Sequence, residues 1–187
     1  MKNLSVGENL RKIRKSKNIT IQDVAKKTGL TSSFISQFER NLTDGSVASL
    51  QKIASALGVT VSELFQYENE FTSTMDEISI VRNDYRKKLK YPGGKLTDYQ
   101  LTNDKGQLQV LLCEVKKGGT SGEQYHHAGV EECIIVLEGQ MEITIDRSTY
   151  ILNEGDTIKF ASHKPHAWRN LGDDCLKVIW IITPPSY

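Results

Sequence analysis

The chain lacks the features that would crosslink it or anchor it in a bilayer. It has only three cysteines, Cys113, Cys133 and Cys175, scattered without CxxC spacing. An odd, dispersed set excludes a secreted disulfide framework and suits a reducing compartment, so the chain is expected in the cytoplasm. Each cysteine is read within an apolar, strand-like run, as a buried inert thiol rather than a sensor. No apolar run reaches membrane-spanning length and no signal-peptide pattern is present, so no membrane partner is expected. Internal repeats and low-complexity tracts are also missing. Neither sign of charge dominates: 24 Lys and Arg face 23 Asp and Glu, net +1. That balance is uneven along the chain. Residues 1–69 hold 10 Lys/Arg against 6 Asp/Glu, net +4, and residues 70–187 hold 14 against 17, net −3. A basic head on a slightly acidic body confines any polyanion contact to the head. A length of 187 residues suits two small domains.

What the head does have is a helix pair, ITIQDVAKKTGLTSSFISQFERNL, Ile19 to Leu42. Thr20 is an N-cap, and Asp23 can complete a capping box with it. Ile21, Val24, Ala25 and Thr28 recur at i, i+3, i+4, i+7 and define one inward face. Gly29 falls where the helix must stop and turn, a place that often needs positive φ. Thr31 can cap the next helix, in which Ile35 and Phe38 point inward. Ser33, Ser36, Gln37 and Arg40 repeat the same spacing on the opposite face. These are short or forked donors and acceptors suited to base edges and phosphates. Val6, Leu10 and Ile13 give an amphipathic first helix with Arg11, Lys12, Arg14, Lys15 and Lys17 on or near its exposed side. Ser46 caps a fourth helix with Leu50, Ile53, Ala54 and Leu57 inward, Gly58 ends it, and Val61, Leu64 and Phe65 form a short fifth.

The stretches IQDVAKKTGLTSSFISQFER and LQKIASALGVTVSELF within residues 5–66 resemble the XRE (Cro/C1-type) helix-turn-helix family, a five-helix DNA-binding domain. The resemblance implies DNA contacts from Thr31, Ser32, Ser33, Ser36, Gln37 and Arg40. Many members place Gln at the first recognition-helix position, where this chain has Ser32, so base preference cannot be copied from a relative.

After Tyr67 the pattern changes. Residues 68–78 read as a linker. Strands are expected over Ile78–Val81, Leu96–Thr102, Leu108–Val115, Glu131–Leu137, Met141–Ile145, Tyr150–Leu152, Thr157–Phe160, Ala167–Asn170 and Leu176–Ile182, with Gly-containing turns between most of them. Many short strands at regular spacing indicate an all-β barrel or sandwich. Two stretches, GEQYHHAGVEECIIVLEG (122–139) and GDTIKFASHKPHAWRN (155–170), resemble the two motifs of the cupin superfamily, a small double-stranded β-barrel. The expected architecture is therefore multidomain: an all-α five-helix helix-turn-helix domain over 5–67, the linker, and an all-β cupin barrel over 79–187.

The cupin resemblance implies a pocket. His127, Glu132 and His166 fall on three of the four positions that hold a divalent metal in many cupins, and Tyr125 stands in the fourth. Alternation puts Tyr125 and His127 on one strand face and His126 on the other, unless a register slip exchanges them. Two imidazoles and a carboxylate suit Zn, Ni, Mn or Fe. Alternatively the same groups line a metal-free pocket and hydrogen-bond an organic effector, with Trp168 as an aromatic wall or a core residue. Cupins with an N-terminal helix-turn-helix of this type are bacterial transcriptional regulators. The expected partners are double-stranded DNA with a pseudo-palindromic operator, a small effector, and a second copy of the chain. The outward residues Ile135 and Leu137 and the run Val178 to Ile182 are candidates for an interface between copies, or for a second layer of the sandwich. The chain is read as a non-enzyme. The alternative is a cupin metalloenzyme with an appended DNA-binding head.

Overall fold

A computed structural model describes residues 5–65, 78–103, 106–127 and 131–185. The chain divides into two compact units, one holding the helices and one the strands.

The helices are α1 (Val6–Ser16), α2 (Ile21–Thr28), α3 (Ser32–Glu39), α4 (Val47–Leu57) and α5 (Val61–Leu64). Each starts where a hydroxyl side chain accepts a hydrogen bond from the first turn: Ser5, Thr20, Thr31, Ser46 and Thr60. Each such cap contributes about 1 kcal/mol. Ser5, Thr20 and Thr60 add reciprocal capping boxes through Glu8, Asp23 and Glu63. Gly29 ends α2 with φ 72°, the left-handed conformation that turns the chain into α3. The core is Leu10, Val24, Ile35, Phe38, Leu50, Ile53, Leu57, Val61 and Leu64, all nearly fully buried. Each such side chain adds about 1.5–3 kcal/mol by leaving water. Gly7 permits the close approach of α1 to α3, because a Cβ there would stand 2.1 Å from the Phe38 carbonyl oxygen. Asn9 ties α1 to α5 by donating to the Glu63 and Leu64 carbonyls at 2.9 and 3.0 Å.

Arg14 corrects the expectation of an exposed basic side on α1. It is buried, donates to both carboxylate oxygens of Glu39 at 2.5 and 2.9 Å, and gives a third bond to the Ile19 carbonyl at 2.9 Å. The Glu39 carboxylate raises its pKa, chiefly through the hydrogen bond, against an opposing effect of burial. The pair clamps the C-terminal end of α3 to α1. Arg11, Lys12, Lys15 and Lys17 are exposed as expected.

The strands are β1 (Lys88–Lys90), β2 (Leu96–Gln100), β3 (Gln109–Val115), β4 (Glu131–Glu138), β5 (Met141–Ile145), β6 (Ser148–Leu152), β7 (Thr157–Ala161), β8 (His166–Asn170) and β9 (Leu176–Thr183). They form two antiparallel sheets in the orders β1-β2-β3-β9-β4-β7 and β6-β5-β8. Alternation is strict where it matters: β2 and β3 bury every second residue, as do β5 and β9. The inward residues, among them Leu111, Ile134, Ile143, Val178 and Ile182, form the barrel core.

One strand expectation fails, and one strand lies where none is expected. Residues 78–81 form no strand, and a 3-10 turn follows at Asn83–Tyr85. Ile78 and Ile80 stand exposed at 80% and 65%, and no described strand pairs with them. The true edge strand, β1, was not expected, because Lys88-Leu89-Lys90 carries one apolar residue and is defined by its pairing to β2. Most of the expected linker lies outside the described residues. Cys113 is buried in β3 and Cys133 lies in β4, but Cys175 sits in the turn before β9 rather than within a strand.

Candidate functional site

The helical unit presents one edge of α3 to solvent. Thr31, Ser32, Ser33, Gln37 and Arg40 are exposed and Ser36 is half-buried. The opposite edge is anchored by Ile35 and Phe38, with Phe34 stacked on Phe38 at 6.1 Å. The polar side chains are already oriented. Gln37 Nε2 donates to Ser33 Oγ at 3.4 Å, and Arg40 Nε donates to the Ser36 carbonyl at 3.1 Å. The outer guanidinium nitrogens of Arg40 keep their donors. Lys17 and Lys27 reach the Gly58 and Ala56 carbonyls at 3.2 and 3.4 Å, so part of their charge serves the C-terminal end of α4. Lys12, Lys15 and Lys26 are exposed cations of the same unit.

In the barrel unit, His127, Glu132 and His166 converge: one ligand atom from each lies within 4.8 Å of the others. Glu132 Oε1 lies 2.9 Å from His127 Nε2 and 3.7 Å from His166 Nε2. Three elements supply them. His166 opens β8, Glu132 stands near the start of β4, and His127 follows the bridge that Tyr125 makes to His166. His127 is 7% exposed while His126 is exposed to solvent, which sets aside the register slip.

Further partners orient the ligand atoms. His166 Nδ1 lies 2.8 Å from the Lys164 carbonyl oxygen. A carbonyl only accepts, so the neutral ring carries its proton on Nδ1 and presents the Nε2 lone pair to the cluster. Trp180 Nε1 donates to Glu132 Oε2 at 2.7 Å and leaves Oε1 facing the imidazoles. Burial works to raise the Glu132 pKa, but the hydrogen bond with His127, the two imidazoles and Trp180 together hold it below its ordinary value. Burial lowers the His166 pKa, with Glu132 pulling the other way, which favours the neutral ring. Ligand atoms about 2.0–2.2 Å from one metal ion stand roughly 3 Å apart, so the separations and the donor types fit a borderline divalent metal. The outer hydrogen bonds that metal-binding imidazoles and carboxylates need are present as well.

Tyr125 is buried with its ring 4.4 Å from that of His166, and Phe160 meets the same imidazole at 5.0 Å. Trp168 faces inward, 5% exposed, and tilts against Trp180 at 5.8 Å; its Nε1 is buried with no hydrogen-bond partner. Sequence reasoning missed Trp180. Its inward position was legible in the alternation of β9. Its contact was not, because Trp180 pairs with Ile134 and reaches Glu132 on a diagonal set by register.

The comparisons with known proteins agree with this geometry. The helix-turn-helix family matches residues 10–64, and the cupin domain family matches residues 111–182. The HTH-type transcriptional regulator PuuR of Escherichia coli (strain K12) is 28% identical over 185 residues, covering 98% of this chain and 97% of its own. The crystal structure of an HTH_3 family transcriptional regulator from Vibrio cholerae matches with a TM-score of 0.71 at 23% identity, over 96% of this chain and 95% of that one. A crystal structure of Fe(II) HppE matches with a TM-score of 0.50 at 21% identity, over 95% and 97% of the two chains, a likeness of fold. The exposed α3 edge, the inward-facing barrel cluster and these matches lead to one assignment: the chain carries an XRE-type helix-turn-helix domain followed by a cupin domain, and is similar over nearly its whole length to a helix-turn-helix transcriptional regulator.

Proposed function

We propose that residues 5–67 bind an operator, that 68–78 link them to the barrel, and that residues 79–187 form an effector-binding cupin domain. Thr31, Ser32, Ser33, Ser36, Gln37 and Arg40 enter the major groove. Gln37 suits adenine, Arg40 suits guanine or a phosphate, and the hydroxyls suit either base edges or phosphates. The observation that carries this reading is the one-sided α3: a hydrophilic edge held rigid by Ile35, Phe38 and the Arg14–Glu39 pair. One head makes few base contacts, so the working species is a homodimer on a pseudo-palindrome with half-sites about one helical turn apart. The reading places it in the cytoplasm, and no described helix is long and apolar enough to cross a membrane.

In the barrel, His127, Glu132 and His166 would hold a divalent metal, with Tyr125 and Trp168 lining the same chamber. A bound metal supplies Lewis acidity and open positions for an organic ligand. Trp180 fixes the Glu132 carboxylate and Lys164 fixes the His166 tautomer, whichever ligand enters. A ligand changes operator affinity by its differential affinity for two arrangements of the heads. The chain is read as a regulator rather than an enzyme; turnover of a substrate by metal-loaded protein would revive the metalloenzyme alternative.

The direct test is selection of random duplexes by the full-length protein, followed by binding isotherms for Gln37→Ala and Arg40→Ala. Enrichment of a two-fold motif, with about 1–3 kcal/mol lost and specificity relaxed at single positions for each variant, is expected. Undiminished affinity in both variants would falsify the placement of α3.

A further inference from the structure

The inward positions of the six-stranded sheet fall into rows set by register. One row contains Asp98, Cys113 and Val178. The next contains Gln100, Leu111, Trp180 and Ile134, and the one beyond it Gln109, Ile182, Glu132 and Phe160. Glu132 and Asp98 are thus two rows apart, about 13 Å measured along the strands. The row between them holds Trp180, whose indole already reaches Glu132.

Asp98 is 2% exposed, and its Oδ1 has no hydrogen-bond partner. The Tyr91 hydroxyl and the Cys113 thiol flank the carboxylate as donors. Burial raises the Asp98 pKa to about 6, with Cys113 and Tyr91 working to lower it, so the group is largely ionised at neutral pH. No lysine or arginine occupies an inward position on the described strands. A desolvated carboxylate without a counter-charge is costly, and a buried acceptor left open calls for a partner, whether a water, an ion or a ligand.

We propose that Asp98 anchors a ligand subsite inside the barrel that takes the positively charged nitrogen of a small organic molecule, an ammonium with N–H donors. The subsite rests on the reading of the barrel as an effector chamber and names the chemistry of one end of that effector. An N–H cation supplies both the missing charge and the missing donor. An inorganic divalent ion fits poorly, since one carboxylate beside a phenol and a thiol offers too few hard oxygen ligands. A neutral hydroxyl would fill the hydrogen bond and leave the charge uncompensated.

The test uses full-length protein and three monofunctional probes of one chain length: n-butylammonium chloride, n-butanol and sodium butyrate, at matched ionic strength with sodium chloride as the control. Melting is followed by tryptophan fluorescence, because Trp168 and Trp180 are the chain's two tryptophans and both lie in the barrel. The butylammonium salt raises the barrel melting temperature and the other additions do not. Asp98→Asn weakens the half-saturating concentration tenfold or more. Tyr91→Phe, which keeps the carboxylate, retains the response. The contrast among probes on the unaltered protein stands even if Asp98→Asn fails to fold. A shift from butanol, butyrate or sodium chloride as large as that from butylammonium overturns the subsite and leaves the chamber reading intact. An equal butylammonium response in a folded Asp98→Asn variant does the same. No response to any probe, nor to added zinc or nickel, overturns both.

Discussion

Replacing Glu39 by alanine removes both acceptors of the Arg14 guanidinium and leaves a charge buried between α1 and α3. The two side chains are 10% and 4% exposed, so solvent does little to screen the loss. Breaking one half of such a pair costs about 3–5 kcal/mol, a large share of a stability of roughly 5–15 kcal/mol. Replacing both partners by apolar residues of similar volume, Arg14→Met with Glu39→Leu, should recover most of it and leave a net change within about 1 kcal/mol, because no charge is then left unpaired. The assay is urea unfolding with two probes. Circular dichroism at helical wavelengths follows the helical unit, which holds every described α-helix, while tryptophan fluorescence follows only the barrel. Only the first transition should move. A loss below about 1 kcal/mol for Glu39→Ala, or a double variant as unstable as the sum of the single ones, would refute the argument that this buried pair clamps α3.

Lys15→Ala should weaken operator binding nearly equally across sequences and flatten its salt dependence, as removal of one phosphate contact does; an unchanged slope in a salt titration places that helix away from the backbone. Zinc or nickel should raise the barrel melting temperature in the native chain, and His127→Ala combined with His166→Ala should abolish that rise, read by thermal melts and elemental analysis. Trp180→Phe keeps the three ligands but frees Glu132 Oε2, and should weaken the same metal response about 10–100-fold. Asp98 carries a pH signature of opposite sign to an ordinary paired carboxylate. Its folded pKa of about 6 lies above the unfolded value of 3.8, so between them the folded state binds the extra proton and stability falls as pH rises. The shift amounts to about 3 kcal/mol. His166 opposes it, since a lowered imidazole pKa costs stability as pH falls below 6.5. The measurement is therefore the difference between the native chain and Asp98→Asn, whose gap should widen between about pH 4 and 6; a flat difference removes the buried charge.

The helical unit was almost fully legible because its signals are local. Caps, a glycine at the turn and i, i+3, i+4 spacing each act within a few residues, and all five helices stand where those signals put them. Arg14 was misread for the same reason: its partner Glu39 lies 25 positions away, and nothing near Arg14 marks it as buried. In the barrel, alternation located most strands and put Tyr125 with His127 and His166 with Trp168 on shared faces, while the cupin resemblance marked those faces as the inner ones. Alternation could not supply register. That is why Trp180 was missed as the partner of Glu132, and why Asp98, one polar residue in a mixed stretch, was not singled out. Residues 78–81 show the reverse error, an apolar stretch that pairs with no strand among the described residues.

The central claim, that α3 of two chains enters the major groove, is tested most directly by methylation interference on the selected operator. The account predicts that methyl groups on guanine N7 block binding in two clusters about one helical turn apart, and that Arg40→Ala removes the block at specific guanines. Binding that is indifferent to guanine N7 methylation and is blocked instead by methyl groups in the minor groove would contradict it.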